Sequence, residues 1–213
     1  MGLRFADEEI GRLDSWLSIY EQGQIELMGK LHDLQDNSAI FKDIRNIEHI
    51  KSRIKSKESI AQKLHRLDFE VTAENAVTHL TDIAGIRIIC SFTNDIPCLV
   101  DALGILPGVT IKTEKDYVSS PKTSGYRSYH VILEMAVCHV GQTYQLPIEI
   151  QIRTAAMDFW ASLEHKVRYK YGKEMPRRLS DELVICADKI AELDERMFLI
   201  HEIVSLVNQE ITG

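Results

Sequence analysis

The sequence lacks the segments that would direct it into or across a membrane. It has no run of about 18 apolar residues, and its N-terminus, MGLRFADEEIGRLDSW, contains no apolar stretch of a signal peptide. The four cysteines form no CxxC pair and follow no regular spacing, so they predict neither a disulfide framework nor a metal site. These absences argue against secretion and membrane spanning, and we expect a protein of the reducing cytoplasm.

Internal repeats, low-complexity tracts and flexible linkers are absent as well. Hydrophobic residues make up 45% of the 213 residues and charged residues 27%, which is typical of a soluble protein with its own core. The net charge of −7 argues against broad binding to nucleic acid, which depends on neutralising phosphates. We therefore predict one domain over residues 1–213, in which a polyanionic ligand would need basic residues that are concentrated locally.

Apolar residues recur at steps of three and four towards both ends of the chain. Over residues 7–36 this spacing predicts helix that breaks near Gly23, and over 154–212 it predicts helix interrupted around Gly172–Pro176. Residues 52–153 mix short helical and strand-like segments. The resulting division is N-terminal helices within 1–50, a core over 51–171 and a C-terminal helix over 172–213.

The central zone carries the strand patterns. Runs of β-branched and apolar residues predict strands at Ile83–Phe92, Val109–Thr113, Arg127–Val137 and Thr143–Arg153. Helical spacing predicts helices over 57–67, 73–79 and 95–104. This order favours an α/β domain: a mixed sheet of about five strands flanked by helices, with helical N- and C-terminal extensions.

Basic residues are concentrated just before and within the first short helix. Ser59, Lys63 and Arg66 fall at i, i+4 and i+7, which places them on one stripe of that helix, and Arg53 and Lys55 precede it. One interpretation is a solvated basic face. The other is a cradle for a triphosphate, to which lysine and arginine give charge-assisted hydrogen bonds.

Two further segments combine polar side chains with strand periodicity. Glu149, Gln151 and Arg153 alternate with isoleucines and so share one strand face, which a one-sided strand would explain equally well. Upstream, Gly125 would allow a ligand to approach closely, and Tyr126 could stack on a nucleobase. The alternative for this segment is an aromatic-rich strand whose tyrosines simply pack.

Asp82 stands just ahead of the predicted strand Ile83–Phe92. Asp82 and Arg87 are five positions apart, so they would face opposite ways in a regular strand. A bulge at Gly85, or a position of Asp82 outside the strand, would bring both to one site. Two carboxylates at neighbouring strand ends would suit Mg²⁺, which takes one or two carboxylates plus substrate phosphates.

Taken together, these motifs resemble the RelA/SpoT-type synthetases over roughly residues 40–200. The motifs that carry the resemblance are Arg53-x-Lys55, Asp82-Ile-Ala-Gly85-Ile-Arg87, Gly125-Tyr126-Arg127-Ser128-Tyr129-His130, Glu149-Ile-Gln151-Ile-Arg153-Thr154 and the segment 157–171. No hydrolase or regulatory domain accompanies them, so the chain is most similar to the small alarmone synthetases. That resemblance implies a mixed sheet with flanking helices, and a homotetramer formed through terminal helices.

The resemblance also implies the reaction and its residues. Such an enzyme transfers pyrophosphate from ATP to the ribose 3′-OH of GTP or GDP, with Asp82 and Glu149 holding Mg²⁺ and Glu149 accepting the proton. The ATP-binding residues would be Arg53 and Arg87, on either side of adenine, and Lys55, Ser59, Lys63 and Arg66, at the phosphates. The GTP- or GDP-binding residues would be Tyr126, at guanine, then Lys115, Lys122 and His130, with Gln151 and His165 in support.

Some positions depart from the family pattern. Family members that are activated by their own product bind it through basic residues of the first helices and an asparagine. This chain has Met28, His32, Gln35 and Asp158 at those positions, which lack the fixed positive charge that such an effector needs. We therefore expect no activation by product. Lys115 stands where arginine is frequent, which changes geometry more than charge.

Two other functions remain open at the level of sequence. The chain could be a module that binds nucleotide or single-stranded RNA without catalysis, although two carboxylates facing phosphates would not help a pure binder. It could also be a toxin offshoot that modifies ATP, ADP or tRNA, because stacking on Tyr126 is tolerant of base identity.

Overall fold

The computed structural model of the protein describes residues 4–36, 47–172 and 175–212. In chain order, the elements are α1 (Asp7–Asp36), β1 (Ile47–Ile54), α2 (Lys57–Arg66), α3 (Ala73–His79), β2 (Ala84–Cys90), α4 (Asp95–Gly104), β3 (Val109–Asp116), β4 (Tyr129–His139), β5 (Gln142–Thr154), α5 (Ala155–Tyr171) and α6 (Arg177–Thr212). Within these ranges, no helix has both the length and the apolar character needed to cross a membrane.

The five strands form one mixed sheet in the order β1-β2-β5-β4-β3. The central pair, β2 and β5, is parallel, and the other three pairings are antiparallel. Both central strands are apolar on at least one face, and they have a neighbour on each side. The predicted fold class, an α/β domain with a mixed sheet of about five strands, is confirmed.

The main core lies between the sheet and α1. Leu13, Tyr20, Leu27 and Leu31 of α1 are fully or almost fully buried, and they join the inward-facing apolar residues of β2, β4 and β5. Their steps of seven, seven and four residues put them on one helix face, which accounts for the burial of that face. The helix α1 therefore covers one face of the sheet and leaves the other for α5 and α6.

A smaller apolar cluster joins α5 to α6. Trp160 and Ala161 of α5 pack with Leu183 and Ala187 of α6, and the ring of Tyr126 lies against them. The indole Nε1 of Trp160 donates to the backbone oxygen of Leu183 at 2.9 Å, which satisfies the one polar atom of that buried ring. This cluster fixes α6 beside the loop that carries Tyr126.

Most predicted elements agree with the structure, but β1 was not predicted. Residues 47–50 belong to this strand, so the prediction of N-terminal helices is wrong there, and residues 37–46 lie outside the described residues. Ile47, Ile50 and Ile54 are spaced like the face of a helix because the register shifts between Ile47 and His49. A bulge of this kind hides the two-residue period by which a strand is recognised.

The predicted break near Gly23 is also wrong, because α1 is continuous from Asp7 to Asp36. Glycine is required here for a steric reason, because a Cβ at this position would lie 2.8 Å from Cγ2 of Val137 in β4. Glycine thus allows α1 to approach β4 closely, and the packing energy outweighs its low helix propensity.

We predict that Gly23→Ala destabilises the protein although alanine is the better helix former. Overpacking against Val137 should cost about 1–3 kcal/mol, whereas the gain in helix propensity is at most about 1 kcal/mol. Denaturant unfolding would measure the difference. The matched control is Gly11→Ala in the same helix, where no described atom beyond the adjacent residues and the local helix backbone lies within 4 Å of the added Cβ and stability should rise. Equal stabilisation by both variants would contradict this account.

Candidate functional site

Four of the predicted site residues lie in one row across the sheet. Lys51 pairs with Arg87, Arg87 with Gln151, Gln151 with His130, and His130 with Lys115, so the row crosses all five strands. Side chains of directly paired residues point to the same face of a sheet. The register therefore gathers cationic and polar groups on the face opposite α1.

The next row contributes Glu149, which pairs with Gly85, which in turn pairs with Arg53. Asp82 precedes β2 and lies outside it, and the pairing at Gly85 is regular, so the second of the two alternatives for Asp82 is correct. A cleft of about 270 Å³ is lined by these residues together with Arg87 and Gln151. We call it the carboxylate cleft.

Two lysines hold one oxygen of Asp82. Oδ2 accepts from Nζ of Lys55 at 2.5 Å and from Nζ of Lys63 at 2.7 Å, while Oδ1 is buried without a hydrogen-bond partner among the described residues. Burial alone would raise the pKa of Asp82, but the two lysine bonds outweigh burial and lower the pKa below its ordinary value. The pKa of Lys55 is lowered by burial, which its bond to Asp82 offsets only in part. Asp82 is therefore ionised at neutral pH.

Glu149 is held by its two strand neighbours. Oε1 lies 3.2 Å from Nδ1 of His130, and Oε2 accepts from Nε2 of Gln151 at 2.8 Å. Burial pushes the pKa of Glu149 upward, yet the hydrogen bonds from His130 and Gln151 leave it below its ordinary value. Glu149 is thus a charged carboxylate with a fixed orientation.

Tyr126 is surrounded by cations. Its hydroxyl lies 2.9 Å from Nε2 of His130 and accepts from Nη2 of Arg153 at 2.7 Å. The guanidinium carbon of Arg153 is 5.1 Å from the ring centroid, and Nζ of Lys122 is 4.8 Å from it. Tyr117 stands edge-on at 6.3 Å and shares Lys122 with Tyr126. The ring is therefore held at both its edge and its face.

Arg153 is a residue that the sequence analysis did not assign to the site. Its side chain is only 5% exposed, and besides Tyr126 it donates to Ser128, Gln151 and Asp158. A buried arginine is stable only where its donors are satisfied, and here four partners satisfy them. The alternation with Glu149 and Gln151 was the signal that could have identified it.

A second cleft, of about 400 Å³, lies next to the first. It is lined by Tyr126, Arg153 and His165, and we call it the tyrosine cleft. Arg53, Arg87 and Gln151 line both clefts. The two clefts therefore meet at a shared wall, where Gln151 is hydrogen-bonded to Glu149 of the carboxylate cleft.

The other predicted residues lie at the margins. Ser59 and Arg66 are exposed on α2, Lys115 is exposed on the edge strand β3, and Lys122 is exposed in the loop before β4. Ser59 is hydrogen-bonded to Ser56, the residue that caps α2. These four are not among the residues that line either cleft in the described part of the chain.

The interpretation of Gly125 is wrong. A Cβ there would lie 2.6 Å from Cβ of Ala187, on α6, so the glycine allows close approach of a helix of the protein and not of a ligand. Its φ of +87° lies in the left-handed region, which adds a second reason for glycine. Ser128, from the same motif, is also fully buried, and its hydroxyl donates to the backbone oxygen of Ile152.

The chain was compared with known proteins. The family model described as a region found in RelA/SpoT proteins matches residues 52–174, more than half of the chain. GTP pyrophosphokinase YwaC of Bacillus subtilis (strain 168) is 50% identical over 151 residues, 71% of this chain and 72% of that protein. GTP pyrophosphokinase YjbM of the same organism is 33% identical over 184 residues, 86% of each.

Solved structures agree with these relatives. Small alarmone synthetase 1 from Bacillus subtilis, bound to its product pppGpp, superposes with a TM-score of 0.84 at 33% identity, covering 92% of this chain and 99% of that one. Small alarmone synthetase 2 from Bacillus subtilis gives 0.79 at 42% identity, covering 89% and 97%. Since the matched segment contains Asp82, Tyr126 and Glu149, the site and the fold lead to one conclusion: the chain belongs to the RelA/SpoT family.

Proposed function

We propose that the protein is a GTP pyrophosphokinase, which transfers the β,γ-pyrophosphate of ATP to the ribose 3′-OH of GTP or GDP and yields AMP with pppGpp or ppGpp. The observation that carries the proposal is the position of Glu149, which lines the carboxylate cleft and accepts a hydrogen bond from Gln151, a residue of the wall shared with the tyrosine cleft. A reaction between two nucleotides needs two adjoining pockets with a proton acceptor between them.

The proposed step is an in-line displacement at the β-phosphorus of ATP. The acceptor's 3′-oxygen forms a bond to that phosphorus, and the bond to the oxygen between the α- and β-phosphorus breaks, so AMP leaves with that oxygen. Glu149 takes the proton of the 3′-OH. Because its pKa is below the ordinary value, Glu149 is free to accept at neutral pH, and its hydrogen bonds to His130 and Gln151 keep it oriented.

The carboxylate cleft suits the donor, ATP. Arg53 and Arg87 stand on neighbouring antiparallel strands and line the cleft, where guanidinium groups can stack on adenine. Lys55 and Lys63 are both paired with Asp82, and their ammonium groups would instead donate to phosphate oxygens when ATP binds. Ser59 and Arg66, farther along α2, would extend this cradle to the outer phosphates.

The donor set also fits Mg²⁺. Oδ1 of Asp82 is buried without a partner among the described side chains, and such an orphaned oxygen is what a cation would satisfy. Asp82 and Glu149 would hold the ion, and its remaining positions would go to phosphates and water. Bound Mg²⁺ supplies charge neutralisation at the transferred phosphates.

The tyrosine cleft suits the acceptor, GTP or GDP. The ring of Tyr126 offers a stacking face for guanine, and its hydroxyl is fixed by His130 and Arg153. Lys122 over the ring would meet acceptor phosphates, as would Lys115 beside His130. His165, from α5, lines the same cleft and would support the acceptor.

A homotetramer formed through terminal helices is also part of this proposal. Residues 193, 197, 200, 204 and 207 of α6 are Leu, Met, Ile, Val and Val, and each is about half exposed. Their steps of four and three are those of a helix that packs on another helix. Sedimentation equilibrium would give the mass of the assembly, and a mass of one 24.3 kDa chain would contradict the proposal.

The first prediction for the site is that Glu149→Gln lowers kcat by at least about 100-fold, because the proton acceptor is lost. The assay mixes protein, Mg²⁺ and ATP with GTP, GDP, ADP or tRNA and separates the products. A pyrophosphorylated guanosine nucleotide is expected, and labelled ADP or tRNA would favour the toxin alternative. The matched control is Glu134→Gln, which removes from β4 a carboxylate paired with Lys112 of β3 and should leave kcat within about twofold. A Glu149→Gln enzyme with normal turnover would refute the assignment.

The second prediction separates the two nucleotides. Arg87→Ala should raise chiefly the KM for ATP, while Tyr126→Ala should weaken the guanosine acceptor by about 1–3 kcal/mol, the contribution of a lost stacking platform. Steady-state kinetics with one substrate varied at a time would measure both. Tyr169→Ala removes an exposed tyrosine of α5 and serves as the control. If Tyr126→Ala left the acceptor's KM and kcat unchanged, guanine would not stack there.

The third prediction is that product does not accelerate synthesis. Met28, His32 and Gln35 lie on α1 and supply no fixed positive charge for a pentaphosphate. The charge of Asp158, the fourth of these positions, is compensated by two arginines, so the prediction depends on the α1 positions alone. Initial rates measured against added ppGpp or pppGpp should stay flat, and a saturable rise of severalfold would contradict it.

A further inference from the structure

One carboxylate oxygen of α5 holds two active-site arginines. Oδ1 of Asp158 accepts from Nη1 of Arg87 at 3.0 Å and from Nη1 of Arg153 at 3.0 Å. The two guanidinium groups would repel each other in this half-buried setting, and burial and Arg153 both lower the pKa of Arg87. Asp158 is the anion that lets them stay adjacent.

The two arginines have different proposed partners. Arg87 extends from β2 into the wall shared by both clefts, and its proposed partner is the adenine of ATP in the carboxylate cleft. Arg153 extends from β5 and fixes the hydroxyl of Tyr126, the proposed platform for guanine. The path from one pocket to the other is therefore Arg87, Asp158, Arg153 and Tyr126, in which each contact is a hydrogen bond.

The start of α5 does not need Asp158. Thr154 already caps the helix, because its hydroxyl oxygen accepts from the backbone nitrogen of Met157. The side chain of Asp158 is only 16% exposed and turns towards the sheet, whereas a residue that merely complemented the helix dipole could remain in solvent. Its orientation matches the positions of the arginines.

We propose that Asp158 is a positioning residue for both substrates: it sets the place of Arg87 for ATP and, through Arg153, the place of Tyr126 for the guanosine acceptor. This inference rests on the proposed function of the two clefts. Asp158 lines neither cleft, so its removal acts through the arginines. Replacement of Asp158 should then weaken the binding of both substrates, although they occupy separate pockets.

The test is steady-state kinetics of Asp158→Ala and Asp158→Asn. Asp158→Ala should raise the KM for ATP and the KM for GTP each by about fivefold or more, since charged hydrogen bonds at both arginines are lost. Asparagine keeps an oxygen at the same reach but loses the charge that offsets the two arginines, so Asp158→Asn should recover only part of both values. A rise in only one KM, or none, would overturn the proposal.

Two control variants separate positioning from general damage. Thr154→Ala removes the cap of α5 and should lower the melting temperature while both KM values stay within about twofold. Glu192→Gln removes one charge from an exposed pair on α6 and should change neither. If Thr154→Ala raised both KM values as much as Asp158→Ala does, loosening of the helix start would explain the effect and the proposal would fail.

Calorimetry distinguishes failure of this inference from failure of the proposed function. Binding of α,β-methylene ATP and, separately, of GDP is measured for the native protein and Asp158→Ala. If the native protein makes no pyrophosphorylated product, the proposed function fails, yet parallel losses of both affinities would still support the role of Asp158. Unchanged affinities in Asp158→Ala would overturn that role whatever the enzyme assay gives.

Discussion

The site depends first on the parallel pairing of β2 with β5. This register sets Gly85 beside Glu149 and Arg87 beside Gln151, and it brings the turn that carries Asp82 to the same edge of the cleft. A slip by one residue would turn every side chain of β5 to the other face, so that isoleucines would line the cleft. The burial of Ile148, Ile150 and Ile152 against the core makes such a slip very costly, and hydrophobic packing on one face therefore fixes the polar arrangement on the other.

On this frame the charges are arranged in compensating groups. Lys55 and Lys63 hold Asp82, His130 and Gln151 hold Glu149, and Asp158 lies between two arginines. The groups that would meet phosphate are thus already oriented before any nucleotide arrives. Preorganisation of this kind is the main contribution that a protein makes to phosphoryl-type transfer, in which little covalent chemistry falls to the protein itself.

Much of this arrangement could be predicted from the sequence where periodicity is strong. The alternation of Glu149, Gln151 and Arg153 with isoleucines indicated the strand face correctly, and Asp82 was expected close to a strand end. The edge strand β1 escaped prediction because a bulge gave its isoleucines helical spacing. The contacts that Asp158 makes with Arg87 and Arg153 could not be predicted, since they depend on how α5 packs against the sheet.

The two errors at glycine have a common cause. Gly23 and Gly125 were assigned to a helix break and a ligand approach, but each leaves space for another part of the protein. The local sequence shows where glycine gives the backbone freedom. It does not show where a side chain would collide with a residue that is distant along the chain, as at Val137 and Ala187. Long-range contacts of this kind are the part of a fold that pattern analysis does not reach.

The contact between Gly125 and Ala187 places a joint steric restriction on the two positions. With 2.6 Å between Ala187 Cβ and the place of a Cβ at residue 125, neither site has room to enlarge unless the other moves away. Substitutions on the inner surface of α6 are therefore restricted by the loop before Tyr126. In this way α6, which contributes no described residue to either cleft, limits the substitutions that leave Tyr126 in place.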